Sequence, residues 1–146
     1  MGKMDSRYFA TKPRENIPST PWDPVFKPDE ATRMMYLDKT VLEGAFYLEC
    51  AWFWPGEWPK GKNWSEHGVK SHSHDYDEVI AFYGTNPEDP EDLCGEVELW
   101  IDGEQNIADK SFVAFIPAGI EHCPLNILRV DKPIFHFSTG PGKSYF

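Results

Sequence analysis

No run of about 18 apolar residues occurs in the chain, so no transmembrane helix is expected. Met1 to Ala10 lacks the apolar core that a secretory signal needs. Basic residues are scarce: 14 Lys and Arg stand against 24 Asp and Glu, for a formal net charge of −10 at pH 7. That balance argues against nucleic acid or an anionic membrane as a partner, because both are held by clusters of Lys and Arg. Cysteine is limited to Cys50, Cys94 and Cys123, an odd number with no close pairing. They read as free thiols in a reducing compartment, which makes the cytoplasm the expected location. No segment keeps a helical period with caps at both ends, and the chain has no internal repeat or low-complexity tract.

What is present is aromatic and strand-like. Aromatics make up 15% of the 146 residues, with six Trp, enough apolar mass for the core of one domain. Residues 1–30 carry Pro13, Pro18, Pro21, Pro24 and Pro28 and read as an extended arm, since proline fixes φ and removes a backbone donor. Tyr8, Phe9, Trp22 and Phe26 in that arm are expected to seek cover on the barrel or on a partner subunit. The main domain is expected over 31–146. Short strands are predicted at Arg33 to Leu37, Ala45 to Trp54, Val79 to Tyr83, Glu96 to Ile101, Phe112 to Ile116 and Ile134 to Ser138. On the second of these, Phe46, Leu48, Cys50, Trp52 and Trp54 share one face. Pro55, Gly56, Pro59 and Gly61 then mark a loop carrying Trp58 and Trp64. Asp102-Gly103 signals a hairpin, because its turn needs positive φ. Many short strands between turn signals point to an all-β sandwich or barrel.

The chemistry gathers in His72-Ser73-His74-Asp75-Tyr76-Asp77-Glu78. Two His one residue apart point to the same side of an extended chain, and Glu78 keeps their parity. Imidazoles and a carboxylate on one face suit a borderline divalent ion, although a short polar run before a strand is also an ordinary solvated loop. Some forty residues later, Pro117-Ala118-Gly119 makes a tight turn that can present His122 to the same centre.

This pair of motifs resembles the cupin superfamily. Its first motif is written G-x5-H-x-H-x3,4-E-x6-G, met here by His72, His74, Glu78 and Gly84. Its second, G-x5-P-x-G-x2-H-x3-N, is met by Pro117, Gly119, His122 and Asn126, and the Asp102-Gly103 hairpin falls between the two. Glu66 and Ser111 stand where each motif opens with Gly, and Gly84 comes one residue early. These departures affect turns and leave the ligand positions intact. The resemblance covers roughly residues 45–138. It implies a single jelly-roll barrel, a double-stranded β-helix, holding one divalent ion on His72, His74, Glu78 and His122. It also implies a homodimer, with the Pro-rich arm as an element that two subunits could exchange.

Three imidazoles and a carboxylate fill four octahedral positions and leave two open, which favours Fe(II), Mn(II) or Ni(II); Zn(II) is admissible but prefers four ligands. Ile80 and Phe82 share the parity of Glu78 and are expected to line an apolar pocket, with Trp52 and Trp54 joining them if their face is the inner one. Three residues are candidates for moving a proton. His67 is an acid–base group, an alternative ligand or a surface His. His136 faces either the pocket or solvent. Tyr76, like Tyr83, either orients a substrate or is structural. Cys123 follows His122 directly, so on an extended chain it points away from the metal and packs. Cys50 and Cys94 carry no signal, and the acidic residues Asp75, Asp77, Glu88, Asp89, Glu91 and Asp92 read as a solvated rim.

The expected function is a metal-dependent enzyme on a small organic substrate, aromatic or carboxylate, with oxygenase, decarboxylase, isomerase or lyase chemistry. The alternative is a non-catalytic cupin that binds or senses a small ligand through its metal. The enzyme reading is preferred because an open metal site is costly to keep for structure alone.

Overall fold

The computed structural model describes residues 4–14, 17, 26–58 and 70–142. Trp22 and Trp64 lie outside the described residues. Eight strands follow in order: β1 Ala31–Leu37, β2 Tyr47–Phe53, β3 Glu78–Tyr83, β4 Asp92–Ile101, β5 Glu104–Lys110, β6 Phe112–Ile116, β7 His122–Val130 and β8 Ile134–Gly140. No helix occurs among the described residues. The strands form two antiparallel sheets, one ordered β1-β2-β8-β3-β6 and one ordered β5-β4-β7. The jelly-roll expectation is met in these two facing layers.

Each sheet turns an apolar face inward. Phe53, Ile80 and Phe82 of the larger sheet meet Val97, Leu99 and Ile127 of the smaller one in a single core. Burying each such side chain contributes roughly 1.5–3 kcal/mol, which is what holds the layers together. The Asp102-Gly103 hairpin forms as predicted. Its residues have φ of 51° and 76°, and Ile101 pairs directly with Glu104 across it.

Two strands escape the sequence reading. β5 is almost entirely polar and exposed, an edge strand with no apolar alternation to reveal it. β7 has the opposite character: it is buried nearly throughout, and its register slips between Leu99 and Ile101 of β4. Two-sided burial and a bulge erase the period of two.

The inner face of β2 is also the reverse of the aromatic one. Tyr47, Glu49, Ala51 and Phe53 point inward, each buried. Trp52 and Trp54 therefore line no pocket. They stack on the outer face, 5.7 Å between centroids and 17° between planes. The outer side of the larger sheet carries three cross-strand rows: Leu37, Leu48, Thr139, Val79 and Phe115; Met35, Cys50, Phe137, Ala81 and Val113; Thr32, Trp52, Phe135 and Tyr83. No row contains a charged residue. The outer side of the smaller sheet carries Glu96 and Glu98, with Arg129 reaching Glu96 at 3.7 Å.

Part of the arm lies on the larger sheet. The Arg14 backbone N–H donates to the Tyr36 carbonyl at 3.2 Å, on the free edge of β1, and its guanidinium pairs with buried Asp38 at 3.1 Å. Phe26 packs edge-on against Phe53 at 5.2 Å. Tyr8 and Phe9 stay exposed, so cover is found for one of the three described arm aromatics.

Candidate metal centre

The two motifs are drawn together by backbone. His72 and His122 exchange both N–H···O bonds at 2.9 Å, forming an isolated antiparallel bridge. The Gly119 N–H donates to the His74 carbonyl at 2.7 Å, and the Ala118 N–H donates to Asp77 Oδ1 at 2.9 Å. The Ser71 hydroxyl bonds the Glu121 carboxylate. Gly119 sits at φ 84°, a conformation that a side chain disfavours, which is why glycine ends this turn. Asp77 is thus more than solvated rim: it clamps the second motif to the first.

These bonds bring three imidazoles together, their planes inclined at 53° to 67° to one another. The candidate ligand atoms of His72, His74 and His122 all lie within 4.8 Å of one another. Glu78 Oε1 lies 3.0 Å from His122 Nε2 and 3.7 Å from His74 Nε2. Donors that share an ion at ~2.1 Å stand roughly 3–4 Å apart, so the three imidazoles form a group that could hold a divalent ion, with Glu78 adjoining two of them. His72 Nδ1 donates to the Lys70 carbonyl at 2.6 Å and His122 Nδ1 to the Ile120 carbonyl at 3.0 Å, leaving Nε2 of each ring for the centre. Burial lowers the pKa of His72 and His74, keeping them neutral as ligation requires. For His122, burial opposes the charge, but the Glu78 hydrogen bond and the Ile120 carbonyl outweigh it and raise the pKa.

Tyr76 supports this arrangement from behind. Its ring stacks on His74 at 4.7 Å and 14°, and lies 6.4 Å from the ring of Tyr47. Its hydroxyl is buried without a hydrogen-bond partner among the described residues. Burial and then the Glu78 charge push the phenol pKa up, so it keeps its proton.

His136 faces inward, far along the strands. It stacks on Phe82 at 4.3 Å and donates from Nδ1 to the Ala81 carbonyl at 2.9 Å. Phe82 is two inward positions beyond Glu78 on β3, a separation of roughly 13 Å along the strand. Burial holds the His136 pKa down to about 4. Ile80 and Phe82 face inward as expected and are buried in the core. Tyr83 sits on the outer face, with its ring 5.9 Å from Phe137. His67 lies outside the described residues.

Cys123 packs in the core, but not by alternation. Its φ of 76° breaks the extended chain, so His122 and Cys123 are both buried. Asn126 of the second motif lies apart from the centre and donates to Glu98 at 2.6 Å, tying β7 to β4. Sequence reasoning missed a polar group behind Tyr76. Arg33 Nε donates to Glu49 at 2.7 Å, and the Tyr47 hydroxyl lies 2.7 Å from the Ser138 hydroxyl and 3.3 Å from Glu49. The one available signal was Glu49 sharing parity with Tyr47 on β2.

No protein-family model matches the sequence, and no curated protein is similar to it. Solved structures do match. A recombinant oxalate oxidase in complex with glycolate aligns over 97% of this chain and 62% of its own, at 13% identity and a TM-score of 0.51. An RmlC-like cupin from Shewanella frigidimarina NCIMB 400 aligns over 79% of either chain, at 14% identity and a TM-score of 0.43. KdgF from Halomonas sp. aligns over 75% of this chain and 76% of its own, at 14% identity and a TM-score of 0.39. The likeness to the oxalate oxidase is one of fold. The likeness extends to the sheets; it does not carry over any of these proteins' activities.

Proposed function

We propose that this cupin is a metal-dependent enzyme acting on a small organic substrate at a centre formed by His72, His74, His122 and Glu78. The observation that carries the reading is the convergence of three imidazoles within 4.8 Å, with a carboxylate against two of them. Such a donor set leaves coordination positions free, which a closed structural site does not. An ion held there would polarise a substrate oxygen as a Lewis acid, or hold the substrate beside dioxygen. Tyr76 holds the ring of His74, and the two backbone carbonyls fix the tautomers of His72 and His122. The Tyr76 phenol, buried behind His74, is assigned to holding that ring and not to the substrate. His136, set back among Phe82 and Phe53, is left to the core.

The test is elemental analysis of the purified chain beside a His72→Ala/His122→Ala variant. About one equivalent of iron, manganese or nickel is expected in the wild type, and none in the variant. Iron directs the substrate screen to oxygen uptake, and manganese or nickel to lyase and isomerase reactions. Wild type and variant equally empty after metal supplementation would overturn the centre, and the enzyme reading with it.

A further inference from the structure

We propose that the cavity between the N-terminal arm and the β1–β2 connection is a binding site for a small organic anion, one with an oxyanion head and a short apolar body. The arm is fastened there by Arg14. Its backbone N–H donates to the Tyr36 carbonyl at 3.2 Å, and its guanidinium donates to Asp38 Oδ2 at 3.1 Å. Asp38 is fully buried, and its Oδ1 accepts the Thr40 N–H at 2.8 Å and the Thr40 hydroxyl at 2.5 Å. One carboxylate thus fixes both the arm and the connection. Between them a cavity of about 470 Å³ opens to solvent, walled by Thr11, Lys12 and Pro13 with Arg14 on the arm side, and by Thr40 and Val41 on the other. A volume of that order suits a small molecule.

Charge chooses the ligand. The lining holds two cations, Lys12 and Arg14, and no acid, in a chain whose 24 Asp and Glu outnumber its 14 Lys and Arg. Asp38 balances the Arg14 charge, but that carboxylate is 0% exposed and presents no surface to the cavity. The guanidinium donates one N–H to it and keeps others for a second acceptor. Lys12 is exposed and makes no ion pair among the described residues, so its charge is the cavity's own. Thr11 adds a hydroxyl able to donate. The Thr40 hydroxyl already donates to Asp38, and so does not serve an anion. Pro13 and Val41 supply apolar surface, which an organic body removes from water and an inorganic ion does not. Lys12 repels a cation, and a neutral ligand leaves its charge unmet. With one unbalanced charge beside open water, a dissociation constant on the order of 1 mM is expected. None of the lining residues belongs to the metal centre, so this site stands or falls separately from it.

The experiment titrates the full isotope-labelled chain with phenyl phosphate, benzoate and inorganic phosphate, and follows the backbone N–H resonances. Saturable shifts are expected at Thr11, Lys12, Arg14, Thr40 and Val41 with the organic probes. Whichever of phenyl phosphate and benzoate binds more tightly identifies the head group. Inorganic phosphate is expected to bind at least ~3-fold more weakly than phenyl phosphate, since it covers no apolar surface. Lys12→Glu is expected to weaken the organic probes by more than ~10-fold, because it sets a carboxylate against the head. Lys110→Glu makes the same change of net charge on exposed β5, and is expected to leave binding within about twofold, as charges beyond a Debye length are screened. Lys12 is exposed, so its variant keeps the fold, and the wild-type shift map locates the site without any variant. Shifts confined to the surroundings of His72, His74 and His122 would overturn the proposal. So would no saturation up to ~10 mM of either organic probe. Inorganic phosphate as tight as phenyl phosphate, or equal losses in Lys12→Glu and Lys110→Glu, would overturn it as well.

Discussion

Tyr76 lies flat against His74, and its other side is closed by the backbones of Gly140 and Gly142. A methyl group on Gly140 would come within 2.7 Å of the Tyr76 ring, and one on Gly142 equally close. The two glycines therefore let the phenol sit where it holds the imidazole in position. Ring and hydroxyl play separable parts. Tyr76→Phe keeps the stack and removes a buried hydroxyl that has no partner among the described residues. It is expected to leave metal affinity within about twofold and stability equal or slightly higher. Tyr76→Ala frees His74 and is expected to weaken metal binding by ~10–100-fold, as for other groups that orient a ligand. Competition with a chromophoric chelator measures both. Equal losses in the two variants would assign the effect to the hydroxyl.

At the scale of elements, the site depends on how the segment before β3 is fastened to the turn before β7. Asp77 accepts the Ala118 N–H, and the His72–His122 bridge closes the other side. Asp77→Ala is expected to cost about 1 kcal/mol of stability and to lower metal affinity by loosening His122, read from urea midpoints and metal titration together. A loss of stability with metal affinity unchanged would confine Asp77 to a structural role. The ligands were legible in sequence because H-x-H and Glu78 share the parity of an extended chain, and because Pro117 and Gly119 announce a turn. Asp102-Gly103 was legible for the same reason. The clamp was not: Asp77 lies in a run of acids that reads equally well as solvated, and its partner is a backbone N–H that no side-chain pattern reveals. The inner face of β2 was misread because hydrophobicity alone assigns the more aromatic side to the core. Here Tyr47 and Glu49 go inside, while Trp52 and Trp54 remain out.

Across the whole molecule, charge is sorted by face. Acids crowd the smaller sheet and the β3–β4 connection, and the outer side of the larger sheet has none in its three rows. Inside, one titrating group set apart from the metal ligands is His136, held down to about 4 from an ordinary value of 6.5 by burial. The unfolded chain then binds the proton more readily than the folded one between these values, so stability rises with pH across that window. This contribution is complete above pH 6.5 and is lost as the pH falls to about 4. His136→Phe keeps an aromatic ring on Phe82 and removes the titration. It is expected to flatten the stability profile in that range, measured as denaturant midpoints near neutrality and in acid. A profile as steep as that of the wild type would place the acid sensitivity elsewhere.

The stacked indoles of Trp52 and Trp54 give the outer face a voice of its own. Two indoles held 17° from parallel at 5.7 Å couple their electronic transitions, which splits the near-ultraviolet circular dichroism band. Because the pair stands on the sheet face and not in the core, its emission wavelength follows the water reaching that face. Against the emission of the other four Trp, the split band is the pair's own signature, an optical gauge of what covers the sheet that is read without a label.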